Sequence, residues 1–144
     1  MPIKNVSFKI FMSEFPKRIL CVEDNRDSRE MMKEMLQLAD PSYSVAGVET
    51  AAEALDISAR QTFDLYVLDI WLPGMDGMGL CRRLRERKVT APIIFFSAMV
   101  RPQDKEYGLA AGADEFLVKP ADIERFPDTV RRLLSSRAKS ESAA

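Results

Sequence analysis

Five side chains in this chain are of types that bind or transfer charged groups: Glu23, Asp24, Asp69, Ser97 and Lys119. Asp69 closes the apolar run Leu65-Tyr-Val-Leu and precedes a Pro/Gly turn. A carboxylate in that position is a metal ligand, a nucleophile or both. Three carboxylates in one pocket repel one another and cannot all ionise cheaply without a cation. A hard, oxygen-seeking divalent ion, Mg²⁺, completed by waters and a carbonyl, resolves that repulsion. Lys119 adds a fixed positive charge and Ser97 a hydroxyl donor, so the set suits the oxygens of a phosphoryl group. The chain has no histidine. It therefore lacks a His base, a His metal ligand and an internal phosphohistidine. With no Ser-His or Cys-His pair, the accepting atom is sought among the carboxylates, since Asp can form an aspartyl phosphate.

These residues can act together only if the fold gathers them. Short apolar runs alternate with helical patterns five times. Strands are expected at 18–22, 43–48, 65–68, 92–96 and 115–118. Capping-box-like starts at Asp27 and Thr50 open the first two helices. The third helix is expected at 79–88. Pro102 falls in the first turn of the fourth, which Gly112 closes. The last carries Ile123, Phe126, Val130, Leu133 and Leu134, with Pro127 requiring a late start or a bend if Asp122 is its cap. In the first helix, Met31, Met35, Leu38 and Ala39 form the expected packing stripe. Strict strand–helix alternation implies right-handed crossovers and a parallel sheet covered on both faces. In a doubly wound sheet ordered 2-1-3-4-5, Glu23, Asp24, Asp69, Ser97 and Lys119 converge at one carboxyl edge.

The motifs Val22-Glu-Asp-Asn25, Val67-Leu-Asp-Ile-Trp-Leu-Pro-Gly-Met-Asp-Gly77, Phe96-Ser-Ala98, Gly108-Leu-Ala-Ala-Gly-Ala-Asp114 and Val118-Lys-Pro120 occur in this order. As an ordered set they resemble the receiver domain of two-component response regulators, over roughly residues 17–134. The resemblance implies a flavodoxin-like α/β fold with Asp69 as phosphoacceptor. It places Mg²⁺ on Glu23, Asp24, Asp69 and the main-chain carbonyl of Trp71, and the phosphoryl group on Ser97 and Lys119. Phe116 matches an aromatic switch residue that turns inward when Ser97 moves; the competing reading is a plain core aromatic. The Lys119-Pro120 bond is expected to be cis. Trp71 and Met99 fall where the family's side chains flank the phosphoryl group. Both are bulky and apolar, which should impede an attacking water and lengthen the phosphoryl lifetime. Implied partners are a sensor histidine kinase or histidine phosphotransfer protein upstream. Downstream stands a protein target or a second copy, met through the fourth helix, fifth strand and fifth helix. The domain would catalyse its own phosphorylation without turning over an outside substrate, so it is not read as an enzyme. Glu for Asp at 23, Ser for Thr at 97 and Ala121 after Pro120 depart mildly from the pattern.

Other features narrow the function classes. A net charge of −1, 47% apolar and 30% charged residues describe an ordinary globular domain. No global field favours nucleic acid or a membrane surface, and no apolar run is long enough to span a bilayer. A cytoplasmic location is the expectation. Arg82, Arg83, Arg85, Arg87 and Lys88 read as a solvated helix face, not a nucleic-acid patch. Asp76 and Asp114 read as caps or turn formers, and Cys21 and Cys81 as buried structural thiols. Residues 1–16 are expected to be an N-terminal extension, with 1–11 either upstream of a natural start at Met12 or a packed arm or dimer contact, and 135–144 a disordered tail. A stand-alone regulator is the first reading; the alternative is the receiver part of a DNA-binding regulator. An aspartyl-nucleophile phosphatase is the remaining rival, but it wants a second Asp where Trp71 stands.

Overall fold

The computed structural model describes residues 15–98 and 100–143; the expectation for residues 1–11 lies outside them. The chain alternates β1 (Arg18–Val22), α1 (Arg26–Ala39), β2 (Ser44–Val48), α2 (Ala51–Arg60), β3 (Leu65–Leu68), α3 (Gly77–Glu86), β4 (Ile93–Ser97), α4 (Asp104–Ala111), β5 (Glu115–Val118) and α5 (Phe126–Ala143). All strand pairs are parallel and the order is 2-1-3-4-5, as expected.

Side chains alternate along each strand, so the sheet has two apolar faces. Ile19, Cys21, Val67, Ile94, Phe96 and Leu117 face α1 and α5, meeting Met32, Leu36, Phe126, Val130 and Leu134. Leu20, Val22, Leu68, Ile93, Phe95 and Phe116 face α2, α3 and α4, meeting Ala54, Leu80, Cys81, Leu84 and Ala111. Both faces of β3 and β4 are buried, which explains their continuous apolar runs. Burial raises the Cys21 and Cys81 thiols to about 12 and about 11, leaving both inert.

Several local expectations shift. Asn25, not Asp27, caps α1, its side chain accepting the Ser28 N–H at 2.9 Å. The inward face of α1 is Met32 and Leu36, while Leu38 is 84% exposed. Thr50 caps α2 as expected, accepting from the Glu53 N–H, and Asp76 caps α3 through the Gly79 N–H. That cap starts α3 at Gly77, two residues before the expected position. Pro102 precedes α4, which begins at Asp104, and Gly112 ends it at φ +116°. A 3₁₀ turn over Ile123–Arg125 delays α5 until Phe126. Pro127 thus sits in its first turn, where no backbone donor is required. The helix then runs to Ala143 where a disordered tail was expected from 135. Nothing in Ser-Ser-Arg-Ala-Lys-Ser-Glu-Ser-Ala stops it: there is no Gly or Pro, and Arg, Ala, Lys and Glu are good helix formers.

Arg85 departs most from the solvated-face reading. Its guanidinium donates to the carbonyls of Gly112 at 2.9 Å, Val89 at 2.9 Å and Ala91 at 2.8 Å, and pairs with Asp114 at 3.0 Å. Asp114 in turn accepts the Ile93 N–H at 2.9 Å. This cluster ties α3, the end of α4 and the start of β4 together.

Candidate functional site

Strand register sets the site. Val22 of β1 lies beside Leu68 of β3, and Ser97 of β4 beside Val118 of β5. One residue further on, the Asp69 N–H still donates to the Val22 carbonyl at 3.0 Å, and the Lys119 N–H to Ser97 at 2.9 Å. The Glu23 N–H donates to Val48 at 3.0 Å. Glu23, Asp69 and Lys119 are therefore anchored by their own backbone at the carboxyl edge, where open α/β sheets bind ligands. A cavity of about 630 Å³ opens there, lined by Glu23, Asp24, Asp69, Trp71, Ser28 and Lys119 among others.

The three carboxylates converge: one oxygen from each of Glu23, Asp24 and Asp69 lies within 4.8 Å of the others. Glu23 is 4% and Asp69 9% exposed, while Asp24 faces solvent. One Glu23 oxygen, Oε2, is buried with no hydrogen-bond partner. Burial raises the Glu23 carboxyl from 4.5 to about 8; the Asp69 carboxylate adds to the rise and the Lys119 ammonium opposes it. An orphaned buried oxygen beside two further carboxylates is a donor set that a hard divalent cation satisfies.

Ser97 is fully buried and its Oγ donates to Asp69 Oδ1 at 2.5 Å. Lys119 is aimed elsewhere. Its Nζ lies 3.0 Å from Ser28 Oγ, 3.8 Å from Glu23 Oε1 and 5.2 Å from the Phe96 ring centroid. The ammonium thus lies over the Phe96 ring and pairs with Glu23 rather than with Asp69. The Lys119-Pro120 bond is cis. Phe116 is turned inward, 5% exposed, with its ring 5.8 Å from Phe95. A Cβ at Gly108 would lie 2.9 Å from the Phe116 ring, so a glycine in α4 makes room for it. Trp71 stands at the rim, 48% exposed. Met99 lies outside the described residues.

Two contributors were not anticipated. Ser28, in the first turn of α1, holds the lysine. Arg29 donates to the Glu23 carbonyl at 2.8 Å and reaches Glu49 at 3.4 Å, supporting the acidic loop from behind. Only the four-residue spacing to Asn25 could have placed Arg29 over that loop, and no local signal names its partner.

A family model described as the response regulator receiver domain matches residues 19–131. The response regulator ArlR of Staphylococcus epidermidis is 37% identical over 116 residues, covering 81% of this chain and 52% of that protein. The response regulator MprA of Mycobacterium leprae is 38% identical over 127 residues, covering 88% and 54%. The chain thus spans about half the length of these curated relatives. Among solved structures, a CheY-like response regulator receiver domain protein from Methanospirillum hungatei superposes with a TM-score of 0.79 at 26% identity, covering 87% of this chain and 98% of that one. The chemotaxis protein CheY4 of Vibrio cholerae gives 0.74 at 29% identity, covering 82% and 98%. Among the described residues, no helix is long and apolar enough to cross a membrane.

Proposed function

The chain belongs to the response regulator receiver family, and we propose that Asp69 is its phosphoacceptor, working with a divalent cation held by Glu23, Asp24 and Asp69. The observation that carries this reading is the nearly buried Asp69 carboxylate, taken by the Ser97 hydroxyl on one side and clustered with Glu23 and Asp24 on the other. The donor in this reading is a phosphohistidine of a sensor kinase or phosphotransfer protein, since the given chain contains no histidine.

In the transfer, an Asp69 oxygen attacks phosphorus, the P–N bond of the donor breaks, and the departing imidazole nitrogen takes a proton. Bound Mg²⁺, ligated by the three carboxylates and the Trp71 carbonyl, would supply positive charge for the phosphoryl oxygens. The protein supplies the rest. Ser97 leaves Asp69 to donate to a phosphoryl oxygen, and Lys119 leaves Ser28 and Glu23 for the new charge. Phosphorylation brings about 1.5–2 negative charges to the site, so the conformation that presents Ser97 and Lys119 gains most. Phe116, on β5, packs against Phe95 of β4 and over Gly108 of α4, which supports reading the surface of α4, β5 and α5 as the readout, whether for a protein target or a second copy. No outside substrate is turned over, no nucleic acid is bound by this domain, and the reaction belongs in the cytoplasm with the kinase.

The test is direct, since Trp71 is the single tryptophan and lines the site. Mg²⁺ with beryllofluoride should change its fluorescence in the wild type and leave Asp69→Ala unchanged. An equal response in both proteins would refute the assignment. A second outcome concerns lifetime: Trp71→Asn with Met99→Glu should speed loss of the phosphoryl group on the order of tenfold, about 1.4 kcal/mol of barrier. Phosphate release after removal of the donor, with Mg²⁺ kept at the same level, reads this.

Glu23 also makes the cation effect depend on pH. Its folded-state value is raised, so its contribution to stability is complete below 4.5 and is lost as pH rises through about 8. Without metal, the ionised carboxylate is buried against Asp69; with Mg²⁺ it is paired. The gain in Tm on adding Mg²⁺ should therefore grow from about pH 5 to about pH 8. Thermal melts across that range check it, and a gain independent of pH would contradict it.

A further inference from the structure

We propose that Arg101 is a positioning residue that holds the Trp71 ring at the mouth of the Asp69 site and ties the phosphoryl lifetime to the placement of α4. The proposal rests on Asp69 being the phosphoacceptor. It starts from a chain of three residues that join the two sides of the cleft. Trp71, in the loop after β3, is half exposed, so core packing alone does not fix its ring. The Arg101 guanidinium, from the loop after β4, lies 5.9 Å from the centroid of that ring, within cation–π range.

Arg101 is in turn held by Asp104, the first residue of α4. Asp104 Oδ1 accepts from Arg101 Nη2 at 3.0 Å and Nε at 3.3 Å, and Oδ2 accepts the Arg101 backbone N–H at 2.8 Å. That fork fixes both the loop and the plane of the guanidinium. Asp104 is 1% exposed, and a carboxylate at that depth is retained only with a partner. The Arg101 side chain itself is 58% exposed, so it is restrained by this pairing rather than by burial.

The consequence is mechanical. Trp71 lies two residues from the attacked carboxylate, and Asp104 begins the helix against which Phe116 packs. A shift of α4 carries Asp104 and Arg101 with it and releases the ring, admitting water to the phosphoryl group. Whatever holds α4 in place therefore also keeps Arg101 over the ring and slows loss of the phosphoryl group. Arg101 further lines a groove of about 340 Å³ with Lys105, Phe116 and Arg125, so a partner seated there meets the same guanidinium.

The test compares wild type, Arg101→Gln, Arg101→Lys and Asp104→Asn by two readouts. Acrylamide quenching reports how freely a small neutral solute reaches Trp71, with no phosphorylation needed. Loss of label after a chase from acetyl phosphate reports lifetime. Arg101→Gln should quench more strongly and lose phosphoryl roughly two- to fivefold faster, the range an exposed cation–π contact supports. Arg101→Lys should recover part of both effects, because it keeps a cation over the ring. Asp104→Asn should follow Arg101→Gln if it folds; the Arg101 variants, at an exposed side chain, do not depend on that outcome. Quenching equal to wild type in Arg101→Gln would overturn the clamp. Stronger quenching with an unchanged lifetime would overturn its link to the phosphoryl group. If the wild type takes up no phosphoryl group, the Asp69 reading fails instead, and quenching alone still decides the clamp.

Discussion

Asp69→Asn is expected to fold normally and to accept no phosphoryl group at any Mg²⁺ concentration. Asparagine keeps the shape and an oxygen that can still accept the Ser97 hydroxyl. It removes the nucleophile and one of three converging carboxylates. The physics of the resting protein should move the opposite way from its activity. The Asp69 charge helps hold the Glu23 carboxyl up near 8, so its loss relieves repulsion within a buried cluster. In the absence of metal the variant should melt no lower than wild type, and the rise in Tm with Mg²⁺ should largely vanish. Acetyl phosphate labelling and thermal melts read both effects. A variant that still labels would place the chemistry elsewhere, and one that unfolds would make Asp69 a structural residue.

Gly77→Ala should damage the same site without touching a functional side chain. A Cβ at residue 77 would lie 2.0 Å from the Asp69 carbonyl oxygen, 2.9 Å from its carbon and 3.0 Å from Ile70 Cα. All three atoms are backbone, so no rotamer change relieves the contact. The Gly77 N–H also donates to the Ile70 carbonyl at 2.8 Å, drawing the start of α3 onto the loop that carries Asp69. Overpacking of this kind costs about 1–3 kcal/mol. The sign is informative, because Gly→Ala in a helix without such a contact stabilises by about 0.4–1 kcal/mol. Urea unfolding should show destabilisation, and Mg²⁺ titration a weakened site, since Asp69 and the neighbouring Trp71 carbonyl must shift together. A neutral or stabilising result would mean that the backbone approach is not what positions Asp69.

Much of this site could be read before the fold was known, for a physical reason. Each charged residue follows a buried strand, and a parallel sheet gathers strand ends at one edge. Glu23, Asp24, Asp69, Ser97 and Lys119 needed only the strand order to converge. What could not be read were partners set by tertiary packing. Ser28 meets Lys119 from the far side of the chain, and Arg29 caps the acidic loop because α1 crosses behind it. Arg85 looked like one of five exposed basic residues, yet its position on α3 points it at three carbonyls. Asp104 carries no local signal that would single it out, although it is buried under Arg101. Local pattern also misplaced the cap of α1, where Asn25 competed with Asp27, and the end of α5, where small polar residues suggested a stop. Helix starts and ends depend on single side-chain bonds, whereas strand edges follow from long apolar runs.

The central claim is that Asp69 carries the phosphoryl group. Treating the protein with acetyl phosphate and Mg²⁺, trapping acyl phosphate with borohydride and mapping the peptides by mass spectrometry tests it most directly. The expected result is a single reduced residue, homoserine at position 69, formed only with Mg²⁺. Reduction at Glu23 or Asp24 instead, or none at all in Mg²⁺-containing samples, would contradict it.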